Sequence, residues 1–153
     1  MHPGEGMTPF HHVLVPVDFE ESSREALDVA IDLALAFEAR LTVFHAWEIP
    51  TYAYTSMSYV PVDFWTPLEA AATQDLATTL ALVRTRVPGA GSILAKGAPA
   101  TEILGAVAQS KADLVVMGTH GRQGLGHALL GSVAEKVVRA STVPVLTIRG
   151  RRD

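Results

Sequence analysis

Five short apolar runs alternate with stretches of helical periodicity, and this alternation restricts the fold more than any other feature of the chain. The runs lie at residues 12–18, 41–47, 92–95, 114–117 and 143–148. They are rich in Val, Ile and Leu and read as buried strands. Residues 23–38 or so carry Leu27, Ala30, Ile31, Ala34 and Leu35 on one helical face. A second helix is expected from Pro67, a favourable first helical residue, to about Val87, with Leu68, Ala72, Leu76, Leu80 and Val83 inward and Pro88-Gly89 as its stop. A third, from about Pro99 to Ser110, turns Ile103, Leu104 and Val107 inward, and a fourth ends at Ala140. Strands alternating with helices imply a parallel sheet, and right-handed crossovers make it a single doubly wound α/β fold of five strands with helices on both faces.

The 153 residues suit one domain, expected over residues 10–150 behind a disordered tail at 1–9, where Met7 offers an alternative start. A net charge of -4 argues against a dedicated nucleic-acid binder. The absence of cysteine removes disulfides, thiolate catalysis and zinc–thiolate sites together. The N-terminus lacks the basic start and apolar core of a signal peptide, and no apolar stretch reaches the roughly 18 residues of a membrane helix. A cytoplasmic protein is the default expectation, with no membrane and no nucleic-acid partner.

The fourth strand, Leu114-Val115-Val116-Met117, opens into a glycine-rich stretch from Gly118 to Ser132, which delivers the chain to a helix. Such a junction points backbone amides outward where the helix dipole favours an anion. A phosphate cradle is one reading; a loose connection whose glycines serve only turns is the other. In doubly wound sheets ligands sit at the carboxyl ends of strands where the strand order reverses. Asp18 ends the first run, so neighbouring first and fourth strands would set a carboxylate, suited to ribose hydroxyls, opposite a phosphate loop. That pairing points to a nucleotide.

Three segments in order carry a further signal: Val15-Pro16-Val17-Asp18-Phe19, the stretch around His45, and Met117-Gly118-Thr119-His120-Gly121-Arg122. With them comes Gly-x2-Gly-x9-Gly-Ser as Gly118, Gly121, Gly131 and Ser132. Together these resemble the nucleotide-binding branch of the universal stress protein family, over about residues 10–149. The resemblance implies strand order 3-2-1-4-5, ATP as ligand and a homodimer, commonly through antiparallel pairing of fifth strands. It implies Asp18 at the ribose or adenine side, backbone of Val17 and Ala46 beside adenine, and Gly118, Gly121, Arg122, Gly131, Ser132 and Val133 around the phosphates. Gly97, before the third helix, is expected to line the same crevice. Pro16, Met117 and His120, from the matching segments, complete the candidate nucleotide-binding set. Magnesium accompanying a triphosphate would be held through phosphate oxygens and water, and no dedicated protein metal site is visible.

Each of these residues also has a simpler role available. Asp18 can cap the following helix, Ser132 can serve as a helix cap, and Arg122 can be a solvated loop charge. His120 and His127 suit phosphate contact, acid–base chemistry or, more simply, structural hydrogen bonds. His45 reads as a satisfied core histidine, and His11 and His12 lack a carboxylate at a metal-ligand interval. The aromatic, proline-punctuated segment 48–66 is either a loop folded over the core or a lid or subunit contact. The chain lacks the P-loop lysine motif, a dinucleotide fingerprint after the first strand, a nucleophile elbow and His-Glu-x2-His. The leading expectation is an ATP-binding sensor or regulator of stress response. Slow ATP hydrolysis with autophosphorylation, and a nucleotide-independent scaffold built on segment 48–66, are the alternatives.

Overall fold

The computed structural model describes residues 10–50, 55, 62–119 and 130–150. The expected tail at 1–9, most of the aromatic segment, His120, Gly121, Arg122, His127 and the last three residues lie outside that set.

Five parallel strands form one sheet: β1 (His12–Pro16), β2 (Arg40–Trp47), β3 (Gly91–Lys96), β4 (Leu114–Gly118) and β5 (Val145–Ile148). Their order is β3-β2-β1-β4-β5. The connecting helices are α1 (Glu21–Phe37), α2 (Val62–Arg84), α3 (Pro99–Ser110) and α4 (Ser132–Ala140). The doubly wound architecture and its strand order are as expected from sequence.

The side-chain alternation of β1 and β4 splits the core into two layers. Val13, Val15 and Val116 pack with Ala26, Ala30, Ile31 and Ala34 of α1 and with Leu76 and Val83 of α2. Leu14, Val115 and Met117 face the other way, against Ile103, Ala106 and Val107 of α3 and Ala134 and Val137 of α4. Both central strands are therefore sandwiched, which is why they read as continuous apolar runs.

Several boundaries differ from expectation. Helix α1 starts at Glu21 rather than Ser23, and Leu35 is exposed because it lies at the edge of the Ala26–Ala30–Ala34 stripe. Helix α2 begins five residues before Pro67. Proline is tolerated there because only the Asp63 carbonyl loses its i+4 donor, and Trp65 anchors the added turn on Trp47, Ile49 and Ala72. Leu68, expected inward, is 41% exposed. Strand β5 starts at Val145, with Pro144 just outside, where its carbonyl still accepts from Val115 N–H at 3.0 Å.

Candidate functional site

At the carboxyl ends of β1, β2 and β4 the two helical layers diverge, leaving a crevice of about 890 Å³. The divergence follows from the topology: the chain leaves β1 toward α1 on one face and leaves β4 toward α4 on the other.

The first wall is the turn from β1 into α1. Pro16, Val17 and Asp18 line the crevice. Asp18 Oδ1 accepts from Glu20 N–H at 2.9 Å and from the Ser23 hydroxyl at 2.8 Å, while Ser23 Oγ accepts from Asp18 N–H at 3.2 Å. One carboxylate oxygen thus ties the turn to the first turn of α1. The contacts among described residues all fall on Oδ1; a carboxylate accepts through both oxygens, so Oδ2 retains its capacity. Phe19 takes a left-handed φ of 66°, a conformation rare for an aromatic residue, and reverses the chain toward α1.

The second wall comes from β4 and α4. Met117, Gly118, Gly131, Ser132 and Val133 all line the crevice, with Thr119 and Ala134. Thr119 N–H bonds to the Ile148 carbonyl at 3.0 Å, and Gly131 N–H returns to the Thr119 carbonyl, so both ends of the glycine stretch are pinned together. Glu135 N–H makes the first α4 bond, to the Gly131 carbonyl, at 2.9 Å. The amides of Ser132, Val133 and Ala134 precede it and have no intrahelical acceptor. They supply donors and the positive end of the helix dipole at the crevice wall.

The third wall is β2 with the edge of α2. Ala46 lines the crevice as expected, together with Phe44, His45, Trp47, Glu48, Pro50, Leu68, Ala72 and Asp75. Lys96 Nζ stands 5.6 Å from the Trp47 ring and 5.0 Å from the Trp65 ring, covering the outside of this wall. Trp65 is half-buried there, packed on Trp47, Ile49 and Ala72.

Charge is unevenly placed. The described lining carries Asp18, Glu48 and Asp75 but neither lysine nor arginine. A polyanion is repelled from the first and third walls, so its favourable position is the α4 end. A neutral group with hydroxyl or amine donors suits the carboxylate side.

Gly97 does not line the crevice. Its φ of 145° and its N–H bond to the Trp47 carbonyl at 2.9 Å make it the turn between β3 and α3, and Pro99 reaches the crevice instead. The sequence also left Phe19, Ser23, Trp47, Glu48 and Asp75 unassigned; only Ser23, placed a helical turn beyond Asp18, carried a local signal.

Far from this crevice, at the other end of the sheet, His12 is buried and uses both ring nitrogens. Nδ1 donates to the Ser110 carbonyl at 3.0 Å, and Nε2 accepts from the Thr42 hydroxyl at 2.7 Å. Burial pushes its pKa below the ordinary histidine value, against the Ser110 bond, which acts the other way. Asp113 caps the start of β1, accepting from His11 and His12 N–H at 2.8 and 2.9 Å. Partial burial alone raises its pKa, but these amide bonds outweigh that and hold it below the ordinary carboxylate value.

Comparison with known proteins agrees with this architecture. Residues 9–149 match the universal stress protein family. A universal stress protein of Bacillus subtilis is 33% identical over 92% of this chain and 99% of its own length. One from Thermus aquaticus is 36% identical, with the same coverage of 92% and 99%. Among solved structures, a universal stress protein in complex with cAMP superposes with a TM-score of 0.61 and 26% identity, covering 91% of this chain and 96% of that one. An Arabidopsis thaliana family protein with AMP bound gives 0.66 at 17% identity, covering 94% of each chain. With a family match across almost its whole length and full-length relatives above 30% identity, this chain belongs to the universal stress protein family.

Proposed function

We propose that the crevice binds an adenine nucleotide, ATP, and that the protein is a nucleotide-dependent sensor or regulator in stress response. The observation that carries this reading is the opposition of Asp18, with an uncommitted carboxylate oxygen, to the amides at the start of α4 across one crevice. Ribose hydroxyls suit the carboxylate and phosphates suit the amides. The cAMP and AMP complexes of related folds support an adenine nucleotide as the ligand class. Adenine would lie between backbone of Val17 and Ala46, with Pro16 and Met117 beside it. Gly118, Gly131, Ser132 and Val133 would surround the phosphates, with His120, Gly121 and Arg122 as further candidates and Gly97 as a turn outside the crevice. Mg²⁺ would arrive with the triphosphate, on its oxygens and water. The protein would act in the cytoplasm as a homodimer joined through β5, an edge strand whose Leu146 is 40% exposed.

The test is calorimetric titration of ATP into freshly purified protein, paired with acid extraction and chromatography of any nucleotide retained. Saturable binding, weakened at least severalfold in Asp18→Asn, is the expected result. A folded, nucleotide-free protein that releases or absorbs no heat with ATP refutes the reading.

A further inference from the structure

His45 reads from sequence as a core histidine, and the structure gives it a more particular place. It is nine-tenths buried at the crevice wall, and its two described contacts fall on the residues flanking Asp18. Its Nδ1 lies 2.7 Å from the Val17 carbonyl, and its ring packs on the Phe19 ring with centroids 4.5 Å apart. A carbonyl only accepts, so Nδ1 carries the proton and the ring is fixed in one orientation and tautomer.

These contacts constrain Asp18 from both sides. The Val17 carbonyl belongs to the peptide plane that enters Asp18, so rotating that plane breaks the histidine bond. Phe19 holds an unfavourable left-handed φ of 66°, which persists only where the surroundings impose it. The His45 ring is one such restraint. Glu20 N–H and the Ser23 hydroxyl then fix the rotation of the carboxylate through Oδ1. The backbone clamp and the side-chain bonds together leave Oδ2 as the oxygen available to a ligand.

We propose that His45 is a positioning residue that aims the Asp18 carboxylate at a ribose hydroxyl and thereby sets the preference of this site for ribonucleotides over deoxyribonucleotides. The inference rests on the nucleotide-binding reading above and adds the group that gives it sugar selectivity. It follows from the energetics of a charged acceptor: a hydrogen bond to a carboxylate held in place discriminates, whereas one to a mobile carboxylate is replaced by water.

The experiment measures dissociation constants for ATP, 2′-deoxy-ATP and 3′-deoxy-ATP with the wild type, Asp18→Asn, His45→Phe and His45→Asn, each checked for folding by circular dichroism. The wild type should favour ATP over one deoxy analogue by roughly tenfold, the size of a hydrogen bond to a charged group. Asp18→Asn should remove most of that ratio. His45→Phe keeps a ring against Phe19 but loses the N–H donor; its ratio should fall to within about twofold while the deoxy analogue binds as before. His45→Asn, whose amide restores a donor near Nδ1 but leaves the Phe19 ring uncovered, should recover part of the preference, binding with a ratio between those of His45→Phe and the wild type.

A folded His45→Phe variant that keeps the wild-type ratio overturns the proposal, and so does one that loses affinity equally for all three nucleotides. A wild type that binds ATP without sugar preference also overturns it while leaving nucleotide binding intact. A folded wild type that binds none of the three overturns the functional reading itself. Should His45→Phe fail to fold, Phe19→Leu removes the ring contact instead: a severalfold fall in the ratio supports the clamp, and an unchanged ratio in the folded variant overturns it.

Discussion

Gly118 at the end of β4 lies directly against Ser22 in the first turn of α1. A β-carbon at position 118 would collide with the Ser22 hydroxyl oxygen and stand 2.9 Å from that residue's carbonyl carbon. The obstacle on one side is backbone, which does not rotate away. The glycine is therefore demanded by helix-on-strand packing, whatever it does for a ligand.

Gly118→Ala should accordingly destabilise the protein by about 1–3 kcal/mol, the usual cost of overpacking. Urea denaturation with no nucleotide present measures it. A stability equal to wild type would show that α1 shifts away freely. The variant is a poor probe of phosphate binding, because any loss of affinity would carry the packing defect with it.

Stability should fall as pH drops below about 6.5, the ordinary histidine value. His12 is protonated more readily in the unfolded chain than in the fold, so folding releases a proton across the window between the ordinary and the lowered pKa. Its contribution is fully present above that window and lost as pH falls through the folded value. Asp113 adds a second loss at lower pH, as the unfolded carboxylate and then the folded one protonate. Histidine proton NMR should find His12 titrating below the ordinary histidine value, and His12→Gln should flatten the stability profile below about pH 6.5. The Arg40 charge lowers the His12 pKa further and the Asp113 carboxylate raises it, and both stay in place in His12→Gln.

If β5 joins two copies, Leu146→Lys should convert the dimer to monomer with little change in the fold, since this side chain is 40% exposed within one chain. Sedimentation equilibrium decides it. A wild type that is monomeric at every concentration, or a Leu146→Lys dimer, removes β5 from the interface.

Both tryptophans of the chain, Trp47 and Trp65, lie in one small apolar cluster under the Lys96 ammonium. Lys96→Met should cost about 0.5–1 kcal/mol through the lost cation–π contacts. Because Trp47 also lines the crevice, ATP binding should change intrinsic fluorescence in the wild type. Trp47→Phe should abolish most of that change and Trp65→Phe should keep it.

The sequence was most informative where one residue type has one physical use. The apolar runs at β1 and β4 marked strands buried on both faces, and the Asp18 and Gly118 positions located the crevice because Gly118 ends β4 and Asp18 lies two residues past β1. It was least informative where position along a surface decides. Leu35 and Leu68 have the period of a buried face, yet each lies at the margin of its helix stripe and is exposed. Proline marked a helix start at position 67 because its preference is local, whereas the Trp65 packing that extends α2 upstream is tertiary. The role of His45 was hidden for the same reason. Its partners, Val17 and Phe19, are 28 and 26 residues away, and only the β1–β2 pairing brings them to it.

The β1–β4 seam joins stretches of chain that are about a hundred residues apart, as the Asp113 bonds to His11 and His12 also do at its lower end. At its upper end the two stretches part to form the crevice. Any molecule lodged between Asp18 and the start of α4 therefore ties the early part of the chain to the late part across the crevice. Occupancy adds to the cost of separating them in proportion to the logarithm of ligand concentration. Survival of the protein against proteolysis would then follow the supply of its ligand, so that abundance itself becomes a slow record of that supply.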